Sequence, residues 1–424
     1  VDKIKVLKGR VIDGNGGPPI EQGVVVIDDN RIKYVGKAET LTQQYTRSKV
    51  YEVEDGTILP GLIEGHVHMS WGGANSINWI NYTPQMEMAR ALRDMNYLRN
   101  SGYTALRDMG SGCVFLKEPA AEGLLDLPRI FAAGRILTQI GGHGDAYQKI
   151  TLEASKKVYG PAYIVTGVDE VRKACRMNAR NGADFIKIMT TGGVFSQGDK
   201  AGETCHFSLE EIRAAVEEAN NMGSYVSSHA QANKGIRTAL ENGVKCIEHG
   251  FYLDDYCIEL MLKNDCYLVP TLSVMHTSKL YNDNNPDVLP ELREKTFRSY
   301  EAHYNSLDKA HKAGVKIGFG CDFVNDPVMG STYDRATMEF ERMEVAGFKP
   351  MEIIQAATKT NSELILMQDK VGTLEAEKLA DLILVSGNPL DDIKIMCDAN
   401  NVKVVIQDGV IVKDIRESKF EMNC

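Results

Sequence analysis

Two histidines separated by one residue close an apolar run, Leu59-Pro60-Gly61-Leu62-Ile63-Glu64-Gly65-His66-Val67-His68. In a strand that spacing turns both imidazoles to one face, where they can share a metal ion. Further along, Lys187 stands between isoleucines in Ile186-Lys187-Ile188, and His229, His249 and Asp322 each end another short run of strand character. Imidazole nitrogen and carboxylate oxygen are the ligands Zn²⁺ accepts in a catalytic site, and four histidines with one aspartate exceed what one ion needs. Two ions are therefore expected. Lys187 calls for neutralisation or pairing, because burying an ammonium among isoleucines is costly.

These groups need a scaffold that brings distant segments to one place. Strand-like runs at residues 63–68, 104–109, 130–137, 185–189, 225–230, 246–250, 267–272 and 316–322 alternate with amphipathic helical stretches, the pattern of a parallel sheet with crossover helices. Eight such runs predict an α/β fold with a closed (β/α)₈ barrel of the TIM type, in which reactive side chains stand at the C-terminal ends of strands. The ligand candidates stand at those ends. Ser208-Leu209-Glu210-Glu211 reads as a capping box at a helix start. The polar connection 141–166 is long for a barrel and is expected to be an active-site lid. Both chain ends instead carry short strands and Gly-rich turns, such as 11–17, 23–30, 382–385 and 402–412. They are expected to pair into one small β-sandwich domain of residues 1–60 and 367–424, interrupted by a barrel of residues 61–366.

Lys+Arg 48 against Asp+Glu 58 leaves a net charge of −10 without a basic block, which argues against nucleic acid or an anionic membrane as partner. No run reaches the ~18 apolar residues a membrane span needs, and the start shows no apolar leader core, so a cytoplasmic protein is expected. The nine cysteines lack CxxC spacing, and several, such as Cys246 and Cys321, lie in apolar runs as reduced core thiols would.

Taken together, Pro60-Gly61-Leu62-Ile63-Glu64-Gly65-His66-Val67-His68 and Ala380-Asp381-Leu382-Ile383 resemble the first-strand and tail signatures of the amidohydrolase superfamily. Glu64 departs from the aspartate usual there, which adds a methylene beneath the histidines. The resemblance implies that Lys187 carries a carboxylate on its amine and, with a hydroxide, bridges two Zn²⁺ ions. His66, His68 and Asp322 would hold one ion, His229 and His249 the other. Gln139-Ile140-Gly141-Gly142-His143-Gly144-Asp145, Lys187 followed by Gly192-Gly193, and Ile247-Glu248-His249-Gly250 are most similar to the imidazolonepropionase-related branch. That branch includes prolidase-like dipeptidases, carboxypeptidases acting on Xaa-Arg or Xaa-Lys, and ochratoxinase-type amidases, all of which release an amino acid from an amide. Its members form homo-oligomers, and the same is expected here. Mononuclear deaminases and cyclic-amide hydrolases of the superfamily lack the strand-four lysine and place a glutamate soon after the strand-five histidine. Here His229-Ala230-Gln231-Ala232-Asn233 contains no acid and Lys187 is present. A catalytically inactive scaffold would have lost metal ligands, and none is missing.

The expected activity is thus zinc-dependent hydrolysis of a dipeptide or N-acyl amino acid. Two ions lower the pKa of a bound water toward neutrality, and Asp322 is the candidate base and acid that moves its proton to the leaving nitrogen. Two Zn²⁺ against Asp322, a carbamylated Lys187 and hydroxide leave about +1 at the mouth, which favours a substrate with a free carboxylate. His143 is the leading additional catalytic and substrate-binding candidate, on either the carbonyl oxygen or the carboxylate, with Gln231 and Tyr252 as further substrate contacts. His206, His276, His303 and His311 have no comparable context.

Overall fold

Alternation of apolar residues decides how the two chain ends meet. Leu382, Leu384, Val404 and Ile406 share one core with Leu7, Val25, Ile27 and Ile58, whereas Ile383, Val385 and Val405 join the barrel core on the opposite face. In the computed structural model, which describes residues 4–41, 48–71, 83–157, 162–194, 196 and 204–416, the β-sandwich element formed by both ends is one seven-stranded hydrogen-bonded sheet. Its central strand Lys49–Pro60 runs parallel to Ile4–Val11 and antiparallel to Leu382–Ser386, pairing Leu382 with Pro60 and Ser386 with Gly56. The turn between Val402–Gln407 and Val410–Asp414 uses Asp408 and Gly409 with φ of 52° and 74°, the left-handed pair that matches strand twist in a tight hairpin.

The middle of the chain forms the (β/α)₈ barrel. Its strands in order are Leu62–Val67, Tyr103–Asp108, Arg129–Ala132, Ile186–Met189, Val226–Ala230, Cys246–His249, Tyr267–Val269 and Lys316–Ile317. The first three make one sheet, and the last five belong to a second sheet. Backbone hydrogen bonds join the two: Asp184 N–H to Ala132 O at 2.7 Å on one side, and Gly65 N–H to Phe319 O at 3.0 Å with Asp322 N–H to His66 O at 2.9 Å on the other. The barrel therefore closes directly beneath His66 and Asp322.

One element departs from the sequence expectation. Residues 130–137 are not a single strand, because Gly134 adopts φ 70° and Asn178 clamps the break, accepting from Arg135 N–H at 3.0 Å and donating to Arg135 O at 2.7 Å. The second piece, Ile136–Gln139, pairs with Ala162–Val165, so the long connection 141–166 carries a helix, Leu152–Lys157, and a strand of its own. Of its described residues, those around His143 to Gln148 reach the cavity described below. The Ser208 capping box is present at the start of Leu209–Asn221. The cysteines of the described residues are free, most of them buried. Among the described residues no helix is long and apolar enough to cross a membrane.

Candidate metal centre

The C-terminal ends of the strands enclose a cavity of about 250 Å³ whose floor holds His66, His68, Lys187, His229, His249 and Asp322. All six sequence-derived ligand candidates therefore meet in one place. The His66 and His68 rings are 5.4 Å apart, His66 and His249 5.3 Å, and His229 and His249 4.6 Å. Asp322 Oδ1 lies 3.2 Å from His66 Nε2 and 3.3 Å from His68 Nε2. Ligand atoms of His66, His249 and Asp322 all fall within 4.8 Å of one another.

Two of these residues reach the floor through unusual backbone. Glu248 is the register partner of His229, so it has the inward parity, and a regular strand would turn His249 outward. A left-handed φ of 75° at His249 brings its ring back to the site. Asp322 and Thr271 have φ of 55° and 56°, and Thr271 Oγ1 sits 2.7 Å from His249 Nδ1. Such conformations cost of order 1–3 kcal/mol each and persist where the surroundings over-determine them.

The ring nitrogens test whether a cation fits. His66 Nδ1 is 2.7 Å from Glu248 Oε2, His68 Nδ1 3.1 Å from Gly110 O, and His229 Nε2 3.1 Å from Gly192 O. Carboxylate and carbonyl oxygens only accept, so these nitrogens carry the hydrogens and the opposite nitrogens present lone pairs. Lone pairs of His66 and His68 then face the Asp322 oxygen with no proton between them, an arrangement that a cation would resolve. Lys187 Nζ, 1% exposed as a residue, has no hydrogen-bond partner among the described residues, and burial pushes its ammonium down to about 8 despite Glu248 and Asp322. An amine that readily becomes neutral is chemically suited to carboxylation. The donor set fits a metal centre.

Electrostatics beneath the floor are set by a buried pair. Arg107 Nη2 donates to Glu248 Oε1 at 2.9 Å with both side chains 0% exposed, and Ser227 Oγ donates to the same oxygen at 2.5 Å. Burial alone would raise the Glu248 carboxyl, but Arg107, Lys187 and His66 hold it well below the usual carboxylate range. Burial likewise works against ionised Asp322; where no cation stands between them, charge on His66 and hydrogen bonds from His66 and His68 take that place and hold the carboxyl well below the usual carboxylate range. Burial pushes His229 and His249 well below the usual imidazole range, reinforced at His229 by His143, His249 and Lys187 and opposed at His249 by Asp322. His143 is pushed down to about 4 by burial and by His206.

Of the expected substrate contacts, His143 and Gln231 line the cavity, and the His143 ring stacks on His229 at 4.3 Å. Tyr252 does not line it. The left-handed residues His249 and Gly250 change the strand parity, so Phe251 takes the cavity position and Tyr252 is exposed. Sequence reading missed Glu248, Arg107, Thr271, Ser196 and Trp71. Trp71 stacks on His68 at 4.0 Å, and Ser196 Oγ is 2.6 Å from His143 Nδ1. The acid adjoining His249 in Ile247-Glu248-His249 was the available signal for the buried pair.

Comparison with known proteins agrees with this geometry. The ochratoxinase of Aspergillus niger is 30% identical over 97% of this chain and 87% of its own, and its crystal structure matches with a TM-score of 0.88 at 29% identity over 97% and 96%. A Xaa-Pro dipeptidase with methionine bound in its active site matches with a TM-score of 0.86 at 32% identity, covering 97% of this chain and 100% of the other. A prolidase complexed with N-methylphosphonate-L-proline gives 0.85 at 31%, over 97% and 100%. Residues 57–412 match the Amidohydrolase family, which places both the HxH strand and the returning tail strands inside one family pattern, and the chain belongs to that family.

Proposed function

We propose that the chain is a binuclear zinc amidohydrolase that cleaves an amide whose departing amine belongs to an amino acid with a free carboxylate. Hydrolysis of C–N bonds follows from the family and its hydrolase relatives; two ions, their identity and the amino-acid product are the proposal. The observation that carries it is Lys187 Nζ, buried and without a hydrogen-bond partner among the described residues, on a floor shared with four histidines and Asp322. A carboxylated Lys187 would satisfy that atom and join the ion held by His66, His68 and Asp322 to the one held by His229 and His249. The relatives support the substrate class, since one is named an ochratoxinase, one a Xaa-Pro dipeptidase, and a prolidase carries a proline-based phosphonate.

When bound, the ions make water more acidic and polarise the scissile carbonyl. The remaining work belongs to the chain. Asp322, kept ionised by the surrounding imidazoles, accepts the proton of the attacking water and passes it to the leaving nitrogen. His143, neutral at pH 7, offers an N–H to substrate oxygen. Trp71, Met189, Phe251, Val274 and Met275 give the cavity apolar walls. Arg107 and Glu248 offset each other, so the excess of about one positive charge at the floor is unchanged and attracts a carboxylate.

A screen of N-acyl amino acids and dipeptides with the zinc-loaded enzyme tests the reading, and release of the free amino acid is expected. Turnover confined to deamination or cyclic amides would favour the one-metal alternative, for which the tight cluster of His66, His249 and Asp322 is the supporting observation. No turnover of any C–N substrate would point to an inactive scaffold.

A further inference from the structure

Helix starts in this chain show what a capping side chain needs. Thr83, Ser208 and Asp254 precede their helices with extended backbone, φ from −79° to −101°, and each side chain accepts from a backbone N–H of the helix it precedes. Thr271 precedes helix Leu272–Asn284 with φ 56° and ψ 52°, and its hydroxyl does not cap that helix. It sits instead 2.7 Å from His249 Nδ1. A left-handed conformation is an outlier for a β-branched residue and persists only where the surroundings impose it.

Glu339 does the capping in its place. It stands on helix Met338–Val345, is 0% exposed, and accepts from Leu272 N–H at 2.9 Å, Ser273 N–H at 2.7 Å and the Ser273 hydroxyl at 2.6 Å. Two of the N–H groups that a helix start leaves unpaired are thereby satisfied, and a carboxylate there also meets the positive end of the helix. Burial pushes the Glu339 carboxyl up to about 7, and the hydrogen bonds from Ser273 and Leu272 oppose that shift more than Arg342 does. The same first turn supplies Val274 and Met275 to the cavity wall.

We infer that Glu339 is a positioning residue of the metal centre: by capping helix Leu272–Asn284 from a neighbouring helix, it releases Thr271 to hold the His249 ring. Without that carboxylate Thr271 relaxes to extended backbone, its hydroxyl turns to its own helix, and His249 Nδ1 loses its partner. The path from Glu339 to the ring rests on hydrogen bonds alone; that the ring binds zinc rests on the reading above. Partners that orient a histidine ligand are worth about ten- to a hundredfold in metal affinity.

Two measurements separate those levels. A crystal structure of Glu339→Gln should show Thr271 with extended backbone and its hydroxyl turned from His249 onto its own helix; a left-handed Thr271 still against His249 overturns the inference. In chelator competition on the zinc-loaded protein, Thr271→Val should weaken zinc about tenfold or more, Thr271→Ser should keep wild-type affinity, and Glu339→Gln should match Thr271→Val. The double variant should lose little beyond either single one, because both changes remove one interaction. A purely structural Glu339 would lower resistance to urea and leave the zinc affinity of the folded protein unchanged. That result, or losses that multiply in the double variant, overturns the positioning role. Should Glu339→Gln fail to fold, Thr271→Val still decides, since wild-type affinity there overturns the role as well. A wild type that holds one zinc rather than two, with Thr271 released in Glu339→Gln, sinks the binuclear reading and upholds the link from Glu339 to His249.

Discussion

Glu248→Gln exchanges one atom in a buried carboxyl and should reverse the hydrogen on a metal ligand. The carboxylate can only accept, so His66 Nδ1, 2.7 Å from Oε2, holds the ring hydrogen and Nε2 stays available toward Asp322. In the glutamine variant the remaining oxygen must serve Arg107 and Ser227, both donors to Oε1. The new NH₂ then faces Nδ1 and drives the ring hydrogen to Nε2, where a metal must bind. Losing the orienting partner of a histidine ligand typically costs 10- to 100-fold in metal affinity, or about 1.4–2.8 kcal/mol. The variant also strips the fully buried Arg107 of its counter-charge. That loss is worth about 3–5 kcal/mol of stability, with the lower end expected because a hydrogen bond survives. Chelator competition for zinc and urea unfolding of the metal-free protein measure the two effects separately. Replacing the pair by apolar residues, Arg107→Met with Glu248→Leu, should recover much of the stability while zinc stays weakly held. A folded Glu248→Gln protein that binds zinc within about twofold of wild type would refute the reasoning.

Lys187→Ala should lose the second ion and most activity, with partial rescue by a short added carboxylic acid; full activity with two tightly held metals refutes the bridging role. Burial puts the Lys187 proton near 8 in the folded chain against ~10.4 unfolded, so the unfolded state binds more protons between those values. Stability of the metal-free protein should therefore gain a rising contribution from about pH 8 to pH 10, which Lys187→Met removes. Asp322→Asn should lower kcat by about 10²–10⁴ while KM changes little, and the acidic limb of the kcat profile should vanish if residual activity is measurable. Amidating the substrate carboxylate should cost about ten- to a hundredfold in kcat/KM. His143→Ala should lower kcat/KM on the free acid; an equal loss on the amide places His143 on the scissile carbonyl, and a loss that disappears on the amide places it on the carboxylate.

The ligand floor was legible because barrel geometry turns a one-dimensional pattern into a convergent one: HxH, a lysine between isoleucines, two strand-end histidines and an aspartate had to meet. The pairing of the two chain ends was legible in the same way, from short strands and Gly-rich turns at both ends, although the register of Leu382–Ser386 on Lys49–Pro60 was not. What escaped depends on single backbone angles or on partners far apart in the chain. Gly134 and Asn178 split the third strand; the glycine inside the run 130–137 was the local signal, but the residue that clamps the break lies outside that run. A left-handed His249 exchanges the expected roles of Tyr252 and Phe251, and period-two reasoning fails at such a residue. Arg107 and Glu248 are 141 residues apart, so their pairing exists only once strands two and six enclose one interior. Ser196 meets His143 only through a turn 53 residues further along the chain, which no residue type in that turn announces.

Counting metal tests the central claim most directly. Zinc per chain should be measured by elemental analysis on protein reconstituted with zinc and bicarbonate, with Lys187→Ala prepared in parallel. Two ions in the wild type, falling to about one or fewer in the variant, are predicted. A wild-type chain that saturates at one ion, or a variant that still holds two, would contradict a lysine-bridged pair.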